Sequence, residues 1–385
     1  MQLVAMGAQD VFLTGNPQIT FFKVVYRRHT NFSKECIKQE FNGNPTLGNT
    51  ITCTLARNGD LVQEIYLKAT VKEANNTVDR STKICDLHSI IRTVEVEIGG
   101  QKIDKHYAAW LDIYNELFED NIEYLELMTN LGGPATPAKS KTVYIPLRFW
   151  FNRNAGLALP LIALQYHEVK ILVETNAAVG VSGDSGQAAT GMCLLVNYVY
   201  LDTDERRRFA QVSHEYLIEQ VQHTGVEPMD GGSKDGKVDM NFNHPVKALF
   251  WTTSEGKQFL DNVKVQLNGH DRFSMQKADY FHLVQPYECG LGHSKSLQLM
   301  PATPVEHRIW VPVAVCGATT PVGMYSFCLK PREHQPSGSC NFSRIDNARL
   351  NYTSKTGTSD RLHLFALNYN VLRIMSGMGG LAYSN

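Results

Sequence analysis

Val94-Glu-Val-Glu-Ile98-Gly-Gly100 returns in the second half of the chain as Val263-Lys-Val-Gln-Leu267-Asn-Gly269. Each copy alternates apolar and polar residues, the period of a half-buried strand. Each closes on a dipeptide, Gly-Gly or Asn-Gly, that accepts positive φ at both centres of a type I′ hairpin turn. A helix-compatible segment follows soon after each copy. A strand, turn and helix recurring at about half the chain length predict one β-domain built twice.

The length supports that reading. The chain has 385 residues, room for two β-domains that can each bury an ample core. The expected division is an N-terminal segment 1–25, a first sandwich 26–210 and a second 211–385. Net charge is −1, from 37 basic and 38 acidic residues, which gives no overall drive toward nucleic acid or an anionic membrane. Charged residues make up 19%, below the usual quarter, so much of the surface is expected to be covered by core or by partners.

No run approaches eighteen uninterrupted apolar residues, so no transmembrane helix is expected. Residues 1–10 lack a basic segment and a long apolar run, which argues against a secretory signal. The N-x-[ST] sequons at Asn31, Asn75, Asn341 and Asn351 are therefore expected to be silent. The eight cysteines (Cys36, Cys53, Cys85, Cys193, Cys289, Cys316, Cys328, Cys340) include no C-x-x-C pair. Several sit in strand-like runs, as small buried thiols do. The pattern implies a reducing compartment and no disulfide framework.

Short β-branched and aromatic runs, separated by Gly, Pro, Asn and Asp, predict strands along the whole chain. In the first half these are 19–26, 51–56, 62–71, 94–98, 144–149, 168–173 and 193–201. In the second they are 216–221, 246–251, 263–267, 309–315, 324–329, 348–352 and 362–374. Strands without regular helix interleaving predict antiparallel sandwiches. One long helix is expected over 108–128, because Trp110, Ile113, Tyr114, Leu117, Phe118, Ile122, Leu125 and Met128 recur at helical spacing. Its acidic residues, Asp112, Glu116, Glu119, Glu123 and Glu126, read as a solvated face. Shorter helices are expected at 277–283 and 204–211. The latter carries Arg206, Arg207 and Arg208 at the junction between domains, and reads as a solvated face or a source of salt bridges. Loops are expected at 74–83, 132–141, 179–191 and 226–237.

A search for chemistry finds little. The thirteen histidines form no H-x-H, H-x-x-x-H or HExxH, so a cupin-type metal site has no ligand pair. His167 and Glu168, read as neighbours on a strand, point to opposite faces. No P-loop and no G-x-S-x-G occur. Gly377-Met-Gly379-Gly380 follows a strand and opens no helix, so it reads as a flexible turn and not a phosphate cradle. The strongest local signal is a basic cluster, Lys23, Arg27, Arg28, His29, Lys34 and Lys38, opposed by Glu35 alone. It is interleaved with Phe21, Phe22, Tyr26 and Phe32, a composition suited to a partner surface, although a strand with alternating solvated charges would look the same.

Residues 7–33 (GAQDVFLTGNPQITFFKVVYRRHTNFS) strongly resemble the opening of major capsid proteins of nucleocytoplasmic large DNA viruses of algae and amoebae. Further blocks agree, in order along the chain: VEIGGQKIDKHY (96–107), GLALPLIALQYHEVK (156–170), HEYLIEQVQ (214–222), NFNHPV (241–246), QPSGSCNFSRIDN (335–347) and NYNVLRIMSGMGGLAY (368–383). The resemblance implies an all-β double jelly roll: two consecutive antiparallel eight-stranded sandwiches with a few short helices. It implies a non-enzymatic shell protein without cofactor, a homotrimer whose pseudo-hexagonal capsomers tile an icosahedral shell around an inner membrane and a double-stranded DNA genome. It places the chain in the virion capsid, assembled in the host cytoplasm. It also places the N-terminal segment and its basic cluster on the inner side, toward minor capsid proteins and membrane, with no sequence-specific nucleic-acid contact.

Short segments at 251–263 and 288–309 depart from the family's tower-building loops and predict a low outer surface. The alternatives are a minor capsid paralogue and a glycan-binding jelly roll. For the latter, Trp251 with Asp261 and Asn262 is the candidate site.

Overall fold

The two copies of the repeat occupy equivalent strands in two sandwiches of identical topology. The computed structural model describes residues 8–72, 90–119, 141–177, 188–229, 235–253, 260–291, 322–354 and 360–383. In the first sandwich, one sheet runs β1 (Phe32–Glu40), β9 (Ala188–Leu201), β3 (Leu61–Lys72), β6 (Lys141–Pro146), with β7 (Leu159–Pro160) also on β3. The facing sheet runs β2 (Thr50–Thr54), β8 (Val169–Thr175), β4 (Ile91–Ile98), β5 (Gln101–Tyr107).

In the second sandwich, one sheet runs β10 (His214–Met229), β19 (Asp360–Met375), β12 (Pro245–Thr253), β16 (Gly323–Ser326). Two short strands extend it, β17 (Cys340–Asn341) on β12 and β20 (Met378–Leu381) on β19. Its partner sheet runs β11 (Asp235–Asp239), β18 (Ala348–Ser354), β13 (Leu260–Leu267), β14 (His270–Asp271), with β15 (Gln276–Lys277) also on β13. Taking the main strands of each half in chain order, the first, eighth, third and sixth form one sheet. The second, seventh, fourth and fifth form the other. That interleaving is the jelly roll.

The repeat itself folds as its pattern requires. Ile98 faces Gln101 across Gly99 and Gly100, with φ of 59° and 82°. Leu267 faces His270 across Asn268 and Gly269, with φ of 51° and 76°. Both are two-residue turns with positive φ at each centre. Val94, Val96 and Ile98, like Val263, Val265 and Leu267, are buried.

After β5 a helix, Ala108–Phe118, buries Trp110, Ile113, Leu117 and Phe118 against Val221, Ala248, Phe250, Met324, Phe365 and Leu367 of the second sandwich. Its cap, Glu119, is already extended, with φ −91° and ψ 130°, and residues 120–128 of the expected helix lie outside the described residues. Glu119 pairs with Arg148 at 2.5 Å, both mostly buried, so at this position the acidic stripe serves the fold and not the solvent. In the second half the corresponding place holds a continuous helical stretch over 278–288, in which the π-helical turn Tyr280–Val284 runs into Gln285–Glu288. It begins one residue later than expected, because Lys277 belongs to β15 and pairs with Asn262.

This helix explains an apolar run. In β12, Val246, Leu249 and Trp251 face the core of the second sandwich, while Ala248 and Phe250 face the helix. A sheet covered on both faces needs apolar residues at consecutive positions. Ile218, Leu372 and Ile374, on β10 and β19, reach the other way and join the core of the first sandwich. The two jelly rolls are thus fused through shared core.

Several expected boundaries move. Residues 19–26 form no strand and are exposed throughout; β-propensity without a partner strand does not make a sheet. The first strand is Phe32–Glu40, whose charged outer face hides its character. The expected loop at 226–237 is largely strand, with β10 running to Met229 and β11 starting at Asp235. β6 stops at Pro146 and β16 at Ser326, short of their expected ends. The expected strand at 309–315, and most or all of the loops at 74–83, 132–141 and 179–191, lie outside the described residues.

Candidate interfaces: the basic arm and the seam between the sandwiches

The basic cluster divides in two. Lys23, Arg27, Arg28 and His29 ride on an extended, exposed segment that follows the seven-residue helix Ala8–Thr14. Lys34 and Lys38 lie on the exposed face of β1, an edge strand paired, among the described residues, with β9 alone. Lys38 forms an ion pair with Glu40, which raises the pKa of the ammonium. The six residues are therefore spread along an arm and an edge instead of lining one pocket. The arm also displays Phe12 and Phe22, 90% and 99% exposed, with Leu13, Ile19, Phe21, Val25 and Tyr26. Contiguous exposed apolar side chains beside cations mark an interaction segment.

The second site was less legible in the sequence. Glu219 on β10 accepts from Lys247 Nζ at 2.7 Å through Oε1 and from Arg153 Nη1 at 2.8 Å through Oε2. Arg153 belongs to the first sandwich, so the carboxylate ties the halves together. Lys247 also donates to the Glu333 carbonyl at 2.8 Å. Arg153 donates from Nε to the Arg148 carbonyl at 2.7 Å, and its guanidinium lies 4.9 Å from the Tyr114 ring centroid. Nearby, Asp104 on β5 accepts from the Val221 amide at 3.1 Å, and Gln220 donates to the Ile103 carbonyl. The one signal in the sequence is Lys247, a charge inside the apolar run of β12: a lysine there requires a buried partner.

A third junction is made by the C-terminal hairpin. β19 turns into β20 at Ser376 and Gly377, with φ of 52° and 80°. Tyr166 donates its amide to the Gly377 carbonyl at 3.0 Å, and His167 Nδ1 lies 3.2 Å from the Gly379 amide. A Cβ on Gly377 would sit 2.6 Å from Tyr166 Cδ2, and one on Gly379 would sit 2.7 Å from Leu164 Cδ2. The glycines expected to make a flexible turn instead let the hairpin dock closely on the first sandwich. His167, expected on a strand, precedes β8.

The remaining candidates resolve as structure. Trp251 is buried, packed edge-on against Phe281 at 5.3 Å, and Asn262 donates to Thr353 Oγ1 at 2.9 Å; the proposed glycan-binding group is part of the core and its lattice of sheet contacts. Arg206 pairs with Asp60 at 3.0 Å, a salt bridge of the kind expected of that helix. Cys53, Cys193 and Cys328 are buried free thiols, while Cys36 is exposed. Among the described residues no group of three His, Cys, Asp or Glu side chains is placed to hold a metal ion. No helix among them is long and apolar enough to cross a membrane.

Two jelly rolls of one topology, fused through a shared core, define a double jelly-roll protein. Known proteins agree. The family model for the major capsid protein N-terminus matches residues 20–202, and that for the large eukaryotic DNA virus major capsid protein matches 205–259 and 303–380. The major capsid protein of Pyramimonas orientalis virus is 54% identical, covering 100% of this chain and 99% of the relative. That of Paramecium bursaria Chlorella virus 1 is 41% identical with the same coverage. A chain of the PBCV-1 virus capsid superposes with a TM-score of 0.79 at 37% identity, over 95% of this chain and 100% of that one. The chain belongs to the major capsid proteins of large eukaryotic DNA viruses, and its relatives are structural proteins, not enzymes.

Proposed function

We propose that this chain assembles as a homotrimer whose six jelly rolls form a pseudo-hexagonal capsomer, the tile of an icosahedral shell built in the host cytoplasm. The observation that carries this reading is the identical strand order of the two sandwiches. Duplication lets three chains imitate six-fold symmetry, so each block suits a hexagonal lattice. Permanent assemblies of this kind bury well over ~1,000 Å² per contact.

In this reading the units are an N-terminal segment 1–25, a first jelly roll 26–210 and a second 211–385. The arm, with Lys23, Arg27, Arg28 and His29, and the edge of β1, with Lys34 and Lys38, meet minor capsid proteins on the shell's inner side. The inner membrane is the other surface within the arm's reach. Sequence-specific nucleic-acid binding has no place in the scheme.

A major rather than a minor capsid role is favoured by full-length identity to two proteins named as major capsid proteins. The alignment with the Chlorella virus relative spans 461 positions, against 385 residues here. That difference supports a lower outer surface; of the segments expected to form it, 251–263 and 288–309, residues 254–259 and 292–309 lie outside the described residues.

Electron microscopy of the purified protein tests the proposal. Three-fold particles with a hexagonal outline are expected. A protein that stays monomeric at every concentration and salt overturns it.

A further inference from the structure

A pair of histidines lies where the second sandwich meets the end of β5 in the first. His363 Nδ1 is 3.3 Å from His223 Nε2, and the rings stack with centroids 5.4 Å apart and 14° between planes. His223 also packs on Phe365 at 4.5 Å and on Tyr107 of the first sandwich at 4.6 Å. Phe365 in turn touches Trp110, at 5.8 Å, in the helix that spans the seam. One continuous run of contacting rings therefore leads from β19, through β10, into the first jelly roll. Between two imidazoles at this distance one nitrogen must accept, so the contact exists only while at least one of the two facing nitrogens carries no proton.

Charged groups surround the pair on several strands. On β19, Asp360 Oδ1 accepts from the Arg361 amide at 2.7 Å, and Arg361 adds a like charge that opposes protonation of His363, against the attraction of Asp360. On β5, Lys105 lies 5.5 Å from the Tyr107 ring centroid, and Asp104 accepts from the amides of Lys105 and Val221. On β4, Glu95 is held by Lys102 and Lys105. β12 places Thr252 opposite His363.

We propose that the His223–His363 pair is an acid-triggered latch on the seam between the jelly rolls: neutral, it holds Tyr107 and the helix Ala108–Phe118 against the second sandwich; protonated on both facing nitrogens, it drives them apart. The proposal goes beyond the capsomer reading and is tested on the isolated chain, so the two can fail separately. Burial pushes His223 down to about 4, with His363 adding to the shift, and burial lowers His363 as well. A histidine whose folded pKa lies below its free value contributes its full stability above about pH 6.5. That contribution is lost as pH falls from about 6.5 toward about 4, because the open state then takes up protons that the closed state excludes. At the other end of the seam His334, 3.9 Å from Glu219 Oε1, is lowered mainly by burial too, with Lys247 and Arg153 opposing its protonation and Glu219 favouring it. It shifts in the same direction.

Hydrogen exchange on the full chain, corrected for the intrinsic pH dependence of exchange, reads the latch. Between pH 6.5 and 4.5, amides of Ala108–Phe118 and of β10 near His223 are expected to lose protection by about tenfold per pH unit for each histidine that titrates on opening. Amides of β4 and β13 are expected to change by less than about threefold over the same range, because no histidine pair adjoins them. His223→Gln combined with His363→Gln keeps a neutral hydrogen-bonding pair and is expected to flatten the response at the seam. Seam protection that does not change with pH, or that falls equally in the double variant, overturns the proposal. If the variant does not fold, NMR titration of the histidine rings in the unaltered chain decides. Both rings titrating at or above 6.5 sinks the latch, and midpoints well below it support it.

Discussion

Arg153 of the first jelly roll donates to Glu219 of the second at 2.8 Å, with both side chains at least 87% buried. The same carboxylate holds Lys247, which is 1% exposed. A buried charge that loses its partner costs about 3–5 kcal/mol. Glu219→Gln is therefore expected to lower unfolding stability by roughly that amount. Replacing Glu219, Lys247 and Arg153 together with apolar residues is expected to cost far less than the single changes sum to. Urea unfolding of the single and triple variants checks both statements; simple additivity would show that the three charges do not act as a unit.

Trp110 is expected to couple the unfolding of the two halves. It is fully buried in the first half's helix but surrounded by Phe250 and Phe365 of the second. Trp110→Ala should cost about 3–5 kcal/mol and split a single calorimetric transition into two. Leu350→Ala, which removes a buried residue confined to the second sandwich, should destabilise without splitting. A single sharp transition in the Trp110 variant would rule out this coupling role.

The C-terminal hairpin should be intolerant of a single methyl group. At Gly377, φ of 80° and the 2.6 Å approach to Tyr166 act together, and Gly377→Ala is expected to cost about 2–4 kcal/mol. Gly100→Ala has a similar φ of 82° but open space around it, and should cost only about 1–2 kcal/mol. Equal losses in thermal unfolding would mean that docking against Tyr166 contributes nothing.

The arm should be dispensable for folding and needed for assembly. Changing Lys23, Arg27 and Arg28 to Glu alters only exposed side chains, so stability should move by less than about 0.5 kcal/mol. Incorporation into particles, measured by co-assembly with unaltered chain and the virus's inner-shell components, should fall sharply. Normal incorporation would remove the arm from the interface.

Thiol labelling should sort the cysteines by exposure. Burial pushes the Cys53 thiol up to about 11, so at pH 8 it is almost wholly protonated and unreactive. Cys36, on the exposed face of β1, should react first. Labelling of Cys53 at a rate comparable to Cys36 in the folded chain would show that the β2 region opens readily.

Much of the architecture was legible because period-2 alternation and Gly-Gly or Asn-Gly turns are local physics. Val94–Ile98 and Val263–Leu267 carry their own strand and turn instructions. What escaped was set by distant partners. Residues 19–26 have strand composition but no neighbour to pair with, whereas Phe32–Glu40 looks charged and still pairs with β9. Val226–Met229 continues a strand through a Gly and a Pro because β19 supplies its ladder. The basic cluster was visible as composition, but its division between arm and edge was not. The Arg153–Glu219–Lys247 group joins residues far apart in sequence, and only Lys247 betrayed it.

The docked hairpin has a consequence for how the molecule is made. β20 leaves the ribosome after the main strands of both sandwiches, yet the glycines of its hairpin seat against Leu164 and Tyr166 of the first. β19, which precedes it, supplies Leu372 and Ile374 to the first sandwich's core. The first jelly roll thus waits for β19 and β20 to complete its own interior. A nascent chain that has not yet reached them cannot present the finished surface that meets its neighbours.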